Sequence, residues 1–174
     1  MSHTINHTIS HKKSGLTHVD AQGNANMVDV TDKIITVRTA TAQGKIAMSA
    51  QTIQAIIDNT NAKGDVLLTA KIAGIQGAKR TADLIPLCHP LALSKVDIDI
   101  EVDAANGWLS VTSMCKLSGK TGVEMEALTA VNVTLLTLFD MCKASDPAMR
   151  LFDIHVQQKT GGKSGNWQYP QEGL

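Results

Sequence analysis

The chain predicts an α+β protein, a ferredoxin-like antiparallel sheet with helices packed on one face. Three observations predict it. Residues 95 to 117 read as two alternating strands joined by Asn106-Gly107, helical patterns lie before and after that pair, and strand-like stretches stand towards either end. The resulting order of strand, helix, helix, strand, strand, helix, strand is the one a split β-α-β unit needs.

Residues 1 to about 15 are polar and aperiodic and are expected to form a flexible arm, with one catalytic domain over 16–174. His3, His7 and His11 recur every four residues, yet a helical metal-binding face is the weaker reading of so polar a stretch. MVDVTDK (27–33) and then Ile35 to Met48 alternate in the manner of strands, with Arg38 on the face opposite Ile35 and Val37. Ser49 has the chemistry of an N-cap, and Ile53, Ile56 and Ile57 give the short helix after it an apolar face. NAKGD (61–65) breaks that helix.

A second helical pattern runs from Val66 to Arg80, with Leu68, Ile72 and Ile75 expected to face the core. Ala70, Ala73, Gly74, Gly77 and Ala78 leave its other face almost bare. Glycine within a helix costs about 1 kcal/mol relative to alanine, so two of them point to close packing of another helix or of the sheet. Pro86 and Pro90 then bracket Leu87, Cys88 and His89, which predicts an extended, preset tripeptide. In the next strand Val96, Ile98, Ile100 and Val102 point inward and Lys95, Asp97, Asp99 and Glu101 outward; Trp108 to Leu117 returns.

The longest helical pattern follows, within KLSGKTGVEMEALTAVNVTLLTLFDMCK (116–143). Thr121 and Glu124 have the spacing of a capping box, which gives Glu124 a structural role. Leu128, Val131, Leu135, Leu138 and Cys142 make a core stripe. Glu126, Ala130, Val133, Thr137, Asp140 and Ala144 make a second, small and polar face, suited to a pocket or another chain. Met149 to Gln158 is the last strand, with Phe152, Ile154 and Val156 inward.

Composition narrows the function. Sixteen basic residues balance sixteen acidic ones, so no net field draws the protein to nucleic acid or an anionic membrane. The three cysteines, Cys88, Cys115 and Cys142, have no C-x-x-C spacing, which argues against a disulfide framework or zinc site and for a reducing, cytoplasmic setting. The amino terminus lacks the apolar core of a signal peptide, and no uninterrupted apolar run spans a bilayer. His18, His89 and His155 are isolated, so no metal is expected.

Two phosphate-binding signatures fail. The P-loop requires a glycine where Gln157 precedes Gly162-Lys163-Ser164 and where Met114 precedes Gly119-Lys120-Thr121, and no G-x-G-x-x-G follows a strand. What survives is a glycine-containing turn entering a helix at 118–122 and a loop with Lys159, Gly161, Gly162 and Lys163. Open backbone N–H groups beside Arg38, Lys63, Lys79 and Arg80 suit a polyanionic small molecule.

The segments LTHVDAQGNANMVDVTDKIITVRTA, KGDVLLTAKIAGIQGAKRTADLIPLCHPL, GKTGVEMEALTA, FDMCKA and KTGGKSG together resemble the MoaC family, the cyclic pyranopterin monophosphate synthases of molybdenum cofactor biosynthesis. The likeness covers residues 16 to about 165. It implies a ferredoxin-like subunit in a homohexamer, a trimer of dimers, that converts 3′,8-cyclised dihydro-GTP to cyclic pyranopterin monophosphate and releases pyrophosphate. It implies no redox cofactor, and leaves room for Mg²⁺ on the triphosphate. By motif, Asp140 and Lys143 of FDMCK and Lys159 of KTGGKSG resemble the family's catalytic residues. Leu87, Cys88 and His89 of PLCHP, with Met125 and Glu126 of VEMEA, fall on its substrate-binding segments, and Arg38 and Lys63 on its basic pocket. Thr160 stands where serine is frequent and Phe139 where tyrosine is expected.

Those residue types suit that chemistry. Rebuilding a purine-derived ring into a pterin needs proton transfers, which a Lys–Asp pair serves; expelling pyrophosphate needs cations. The competing expectation is a non-catalytic, nucleotide-binding regulatory oligomer of the same fold. Asp140 discriminates, because a carboxylate beside the lysines repels a triphosphate that is merely to be bound.

Overall fold

The computed structural model describes residues 24–163 and 165–170; the expected arm and its three histidines lie outside them. In chain order the elements are β1 (Thr36–Ala47), α1 (Ala50–Ile57), α2 (Val66–Lys79), α3 (Thr81–Leu84), β2 (Lys95–Asp103), β3 (Trp108–Gly119), α4 (Glu124–Cys142), β4 (Arg150–Thr160) and β5 (Trp167–Gln168). One antiparallel sheet contains every strand, in the order β2-β3-β1-β4-β5. Read from the β4 edge, its four long strands have the ferredoxin-like arrangement. α4 packs across β1, β3 and β4, and α2 lies beside it over β2.

The β2–β3 hairpin forms as its alternation requires, with Ile98 and Ile100 buried on the helix-covered face and Asp97, Asp99 and Glu101 exposed on the other. Ser49 caps α1 by accepting from the Thr52 N–H at 3.2 Å. Ile53 and Ile56 are buried there, whereas Ile57 is exposed. Residues 27–33 do not make a strand. Asp29 Oδ1 accepts from the backbone N–H of Thr31 at 2.8 Å and its hydroxyl at 2.6 Å, so a local Asx turn captures the backbone that a ladder would have used.

α2 packs by its small face, as its two glycines predict, and not by the Leu68–Ile72 face also expected in the core. Leu68 and Ile72 are 55% and 53% exposed and Ile75 is half-buried, while Ala70, Gly74, Gly77 and Ala78 are buried. The cause is distance between helix axes. A methyl group on Gly77 would lie 2.7 Å from Val133, and one on Gly74 would strike Thr134, Ile98 and the Ala130 carbonyl. The small face of α4 is therefore occupied by the small face of α2, which answers what it packs against along most of its length. Leu128 is half-buried, and the rest of the expected α4 stripe, Val131, Leu135, Leu138 and Cys142, is buried. α4 has the length and apolar composition of a membrane-crossing helix, and its burial against the sheet and α2 accounts for both.

β4 departs from strict alternation. Its register against β1 shifts between Thr41 and Ala42 and again between Gln43 and Lys45, and Asp153 takes φ 54° at the second shift. The bulge moves Phe152 to the open face, where it meets Trp108 edge-to-face with Lys45 nearby, while Leu151 and Ile154 pack against the core.

Candidate active site

Arg38 continues the series Ala40, Ala42 and Ile46 on the helix-covered face of β1, two residues beyond the last core position. Ile35 and Val37 face the other way, as read, and are exposed. Arg38 thus emerges beneath the start of α4, where its Nε donates to the Gly119 carbonyl at 3.1 Å. The loop after β4 closes over it. Gly161 and Gly162 have φ of 86° and 75°, and side chains there would strike the Val37 carbonyl and the Arg38 guanidinium. On β4, Lys159 Nζ pairs with Glu124 Oε1 at 2.9 Å. The capping box does not form: Val123 is the N-cap without a side-chain bond, because Glu124 turns to Lys159. Thr160, expected as a substitute for serine, has its hydroxyl bonded to that of Thr39 across the strands.

A cavity of about 300 Å³ opens beside this pair, lined by Leu87, Cys88, His89, Met125 and Glu126 among others. The PLCHP segment is not extended throughout. The Cys88 N–H donates to the Ile85 carbonyl at 3.1 Å, so Pro86 and Leu87 occupy the middle of a tight turn, a place that proline's fixed φ favours. His89 Nε2 lies 2.9 Å from the Val28 carbonyl, which can only accept; that nitrogen therefore carries the proton. Glu126 is 4% exposed, and burial raises its pKa, opposed by its own backbone N–H and aided by Glu124. Burial also raises the Cys88 thiol, with Glu126 contributing. Two further cavities, of about 180 and 730 Å³, continue past Lys159 and Arg38 and turn the site into a cleft.

The other residues gather at the far end of α4. Asp140 Oδ1 accepts from Lys143 Nζ at 2.8 Å and its Oδ2 from Lys63 Nζ at 3.0 Å; Lys63 also donates to the Asp140 carbonyl at 2.7 Å. Lys143 and then Lys63 hold the Asp140 carboxyl down to about 2. Lys63 is brought there by the NAKGD loop, where Asn61 Oδ1 accepts from its backbone N–H at 3.1 Å. Both lysines also lie where the helix C-terminus favours cations. Phe139 is half-buried against the core, so its ring serves packing.

The predicted site residues thus form two groups. Arg38, Lys159, Leu87, Cys88, His89, Met125 and Glu126 share the cleft at the start of α4; Lys63, Asp140 and Lys143 form a clasp at its end. Glu126 and Asp140 are fourteen positions apart on one helix, roughly 21 Å at about 1.5 Å per residue. Glu124 and Lys33 belong to the cleft as well, and neither was read from the sequence as a site residue. Glu124 was hidden by its cap-like spacing, although VEMEA contains it. Lys33 was hidden at the end of a segment read as a strand.

Residues 27–162 match the model of the MoaC family. The chain belongs to the MoaC family. A curated relative from Rhodospirillum rubrum, named cyclic pyranopterin monophosphate synthase, is 58% identical over 153 residues, covering 88% of this chain and 92% of the relative. Both residue groups lie inside the region that matches the MoaC family, as does the whole of α4 joining them. In this MoaC chain the cleft supplies apolar walls and cations, and the clasp supplies an ionised carboxylate between two ammonium groups.

Proposed function

We propose that this protein is a cyclic pyranopterin monophosphate synthase of molybdenum cofactor biosynthesis, converting 3′,8-cyclo-7,8-dihydro-GTP to cyclic pyranopterin monophosphate with release of pyrophosphate. The name carried by the Rhodospirillum rubrum relative supports the reaction. The observation that carries it to residues is the Asp140 clasp. A carboxylate held ionised between Lys63 and Lys143 weakens the binding of a triphosphate, yet it orients the Lys143 ammonium group for proton transfer. A regulatory nucleotide binder gains nothing from it.

In this reading Asp140, Lys143 and Lys159 are catalytic, and Leu87, Cys88, His89, Met125, Glu126, Arg38 and Lys63 bind substrate. Leu87, Leu91 and Met125 wall the cavity that takes the ring system, and Arg38 and Lys159 face the phosphates. Mg²⁺ can travel with the triphosphate, and the chemistry calls for no redox cofactor. A cytoplasmic enzyme with one catalytic domain over 16–174 fits the three free cysteines.

The active site is shared between chains. A proton-transferring group must come within about 3 Å of its target, so one compact substrate does not reach both Glu126 and Asp140 of one α4. α2 runs antiparallel to α4, and its exposed Leu68 and Ile72, with Leu136 of α4, give the two helices an apolar outer surface. A two-fold contact there or close by would bring the clasp of one subunit to the cleft of another, twice over, as a trimer of dimers requires. Incubating the purified protein with cyclised GTP and assaying pyrophosphate and the cyclic phosphate product tests the assignment; binding without either product overturns it.

A further inference from the structure

Lys33 is the one described residue that lines all three cavities of the cleft. It stands where the apolar cavity holding Cys88, His89 and Glu126 meets the polar stretch holding Lys159 and Arg38. Of its neighbours, Lys159 is paired with Glu124 at 2.9 Å, and Arg38 is held by its Nε donating to the Gly119 carbonyl at 3.1 Å. Lys33 is exposed and makes no ion pair among the described residues. Arg38 and Lys163 also make no ion pair among the described residues, but neither lines the apolar cavity; Lys33 is the cation at the junction.

The backbone that presents it has no regular structure, and it is nonetheless pinned. The Val28 carbonyl accepts from His89, the Thr31 carbonyl accepts from Lys120 Nζ, Asp29 holds Thr31, and the Lys33 N–H donates to the Val30 carbonyl at 3.1 Å. Two of these bonds come from side chains far along the chain, so the position of Lys33 is set before any ligand arrives.

We propose that Lys33 is a further substrate-binding residue, its ammonium group meeting the phosphate nearest the sugar at the point where ring and phosphates part. The proposal rests on the reaction assigned above. In that reaction a substrate hydroxyl oxygen bonds to the phosphorus nearest the sugar. The bond from that phosphorus to the oxygen bridging it to the other two phosphates breaks, the hydroxyl proton passes to a base, and pyrophosphate leaves with the electron pair. Negative charge grows on the departing oxygen, and three N–H donors on a compact cation at the junction are placed to stabilise it. Lys33 holds that place because the ring end has one cavity to enter and the phosphates have the other two.

The test uses the full chain with three substitutions, Lys33→Met, Lys33→Arg and Lys120→Met, and inorganic pyrophosphate as the probe in calorimetric titration. Lys33→Met weakens pyrophosphate binding about tenfold or more, the loss expected of one charged contact. Lys33→Arg retains most of the affinity, and Lys120→Met, which loosens the segment from outside the cavities, causes a smaller loss of the same sign. Wild-type affinity in Lys33→Met overturns the proposal, as does an equal loss in all three variants, which would mean that only the shape of the segment matters. Turnover of cyclised GTP by the unsubstituted protein separates the two levels. If it releases no pyrophosphate, the assigned reaction fails while the titration still reads Lys33; if it does and Lys33→Met binds normally, the reaction stands without Lys33.

Discussion

The two ends of α4 carry the same residue types, carboxylate and lysine, in opposite settings. At the start, Glu126 is 4% exposed and its pKa is raised by burial; at the end, the Asp140 side chain is 57% exposed and its pKa is drawn down to about 2 by Lys143 and Lys63. The cleft has walls and a carboxyl group that resists ionisation. The clasp has an ionised carboxylate and two ammonium groups but no walls. Burial and ion pairing therefore push two acids of one helix in opposite directions, which is how a pair of carboxyl groups comes to divide acid and base work. Neither end alone has what the proposed reaction needs.

The largest effect expected is at the clasp. Asp140→Asn keeps the shape and removes the charge, and is predicted to lower kcat by about 10²–10⁴, the range for a lost acid–base group, with an unchanged melting profile because the side chain is exposed. Steady-state pyrophosphate release measures it; loss of less than tenfold would reduce the clasp to surface charge. Next comes complementation. Glu126→Ala and Asp140→Ala subunits, each inactive, are expected on mixing to recover up to about a quarter of wild-type activity, since mixed two-fold pairs keep one intact site of two. Subunit exchange confirmed by mass with no recovered activity would place each site within one chain.

The elements that were legible from sequence are those whose side chains keep one period from end to end. β2 and β3 alternate cleanly because one face is buried and the other open, and Asn106-Gly107 fixes their turn. The α4 core stripe survived for the same reason. On α2 the glycine face was legible, and Gly74 and Gly77 are buried because α4 leaves no room for more, but size was taken as the sign of burial for Leu68 and Ile72, which point out. The bulge at Asp153 is invisible to a period of two, so Phe152 was placed on the wrong face. At the site, the family motifs named ten residues, and the structure divides them between two ends that motif matching cannot order in space. Glu124 was given to Thr121 by spacing, but a charged partner 35 positions later, Lys159, competes better than a backbone N–H.

Contact between α2 and α4 also holds the clasp in place, because Lys63 leads directly into α2. Gly74→Ala is expected to destabilise by about 1–3 kcal/mol from overpacking, offset by up to about 1 kcal/mol from better helix propensity. Urea denaturation gives the net loss, and no loss would mean that α4 can shift away from α2. Pyrophosphate release should fall further than the unfolded fraction explains, since moving α2 moves Lys63 relative to Asp140. An equal fall would uncouple packing from the clasp.

The smallest effect expected is on stability at Glu126, and its sign comes from linkage. Its pKa is raised above the ordinary 4.5 in the folded chain, chiefly by burial. Below about 4.5 the group is protonated whether the chain is folded or unfolded, and burial carries no ionic penalty. As pH rises the unfolded chain loses the proton first, so stability falls until the folded pKa is passed and then levels off. Glu126→Gln removes the charge without removing the shape. The variant should therefore melt above the wild type at about pH 8, by a margin that shrinks as pH falls and disappears near the ordinary glutamate range. Melting temperatures of the two proteins across that range decide it. A margin independent of pH would assign the difference to packing, and a variant less stable at high pH would mean that the Glu126 carboxylate is satisfied where it lies. Either result would remove the contrast between an acid whose pKa is raised at one end of α4 and one whose pKa is lowered at the other.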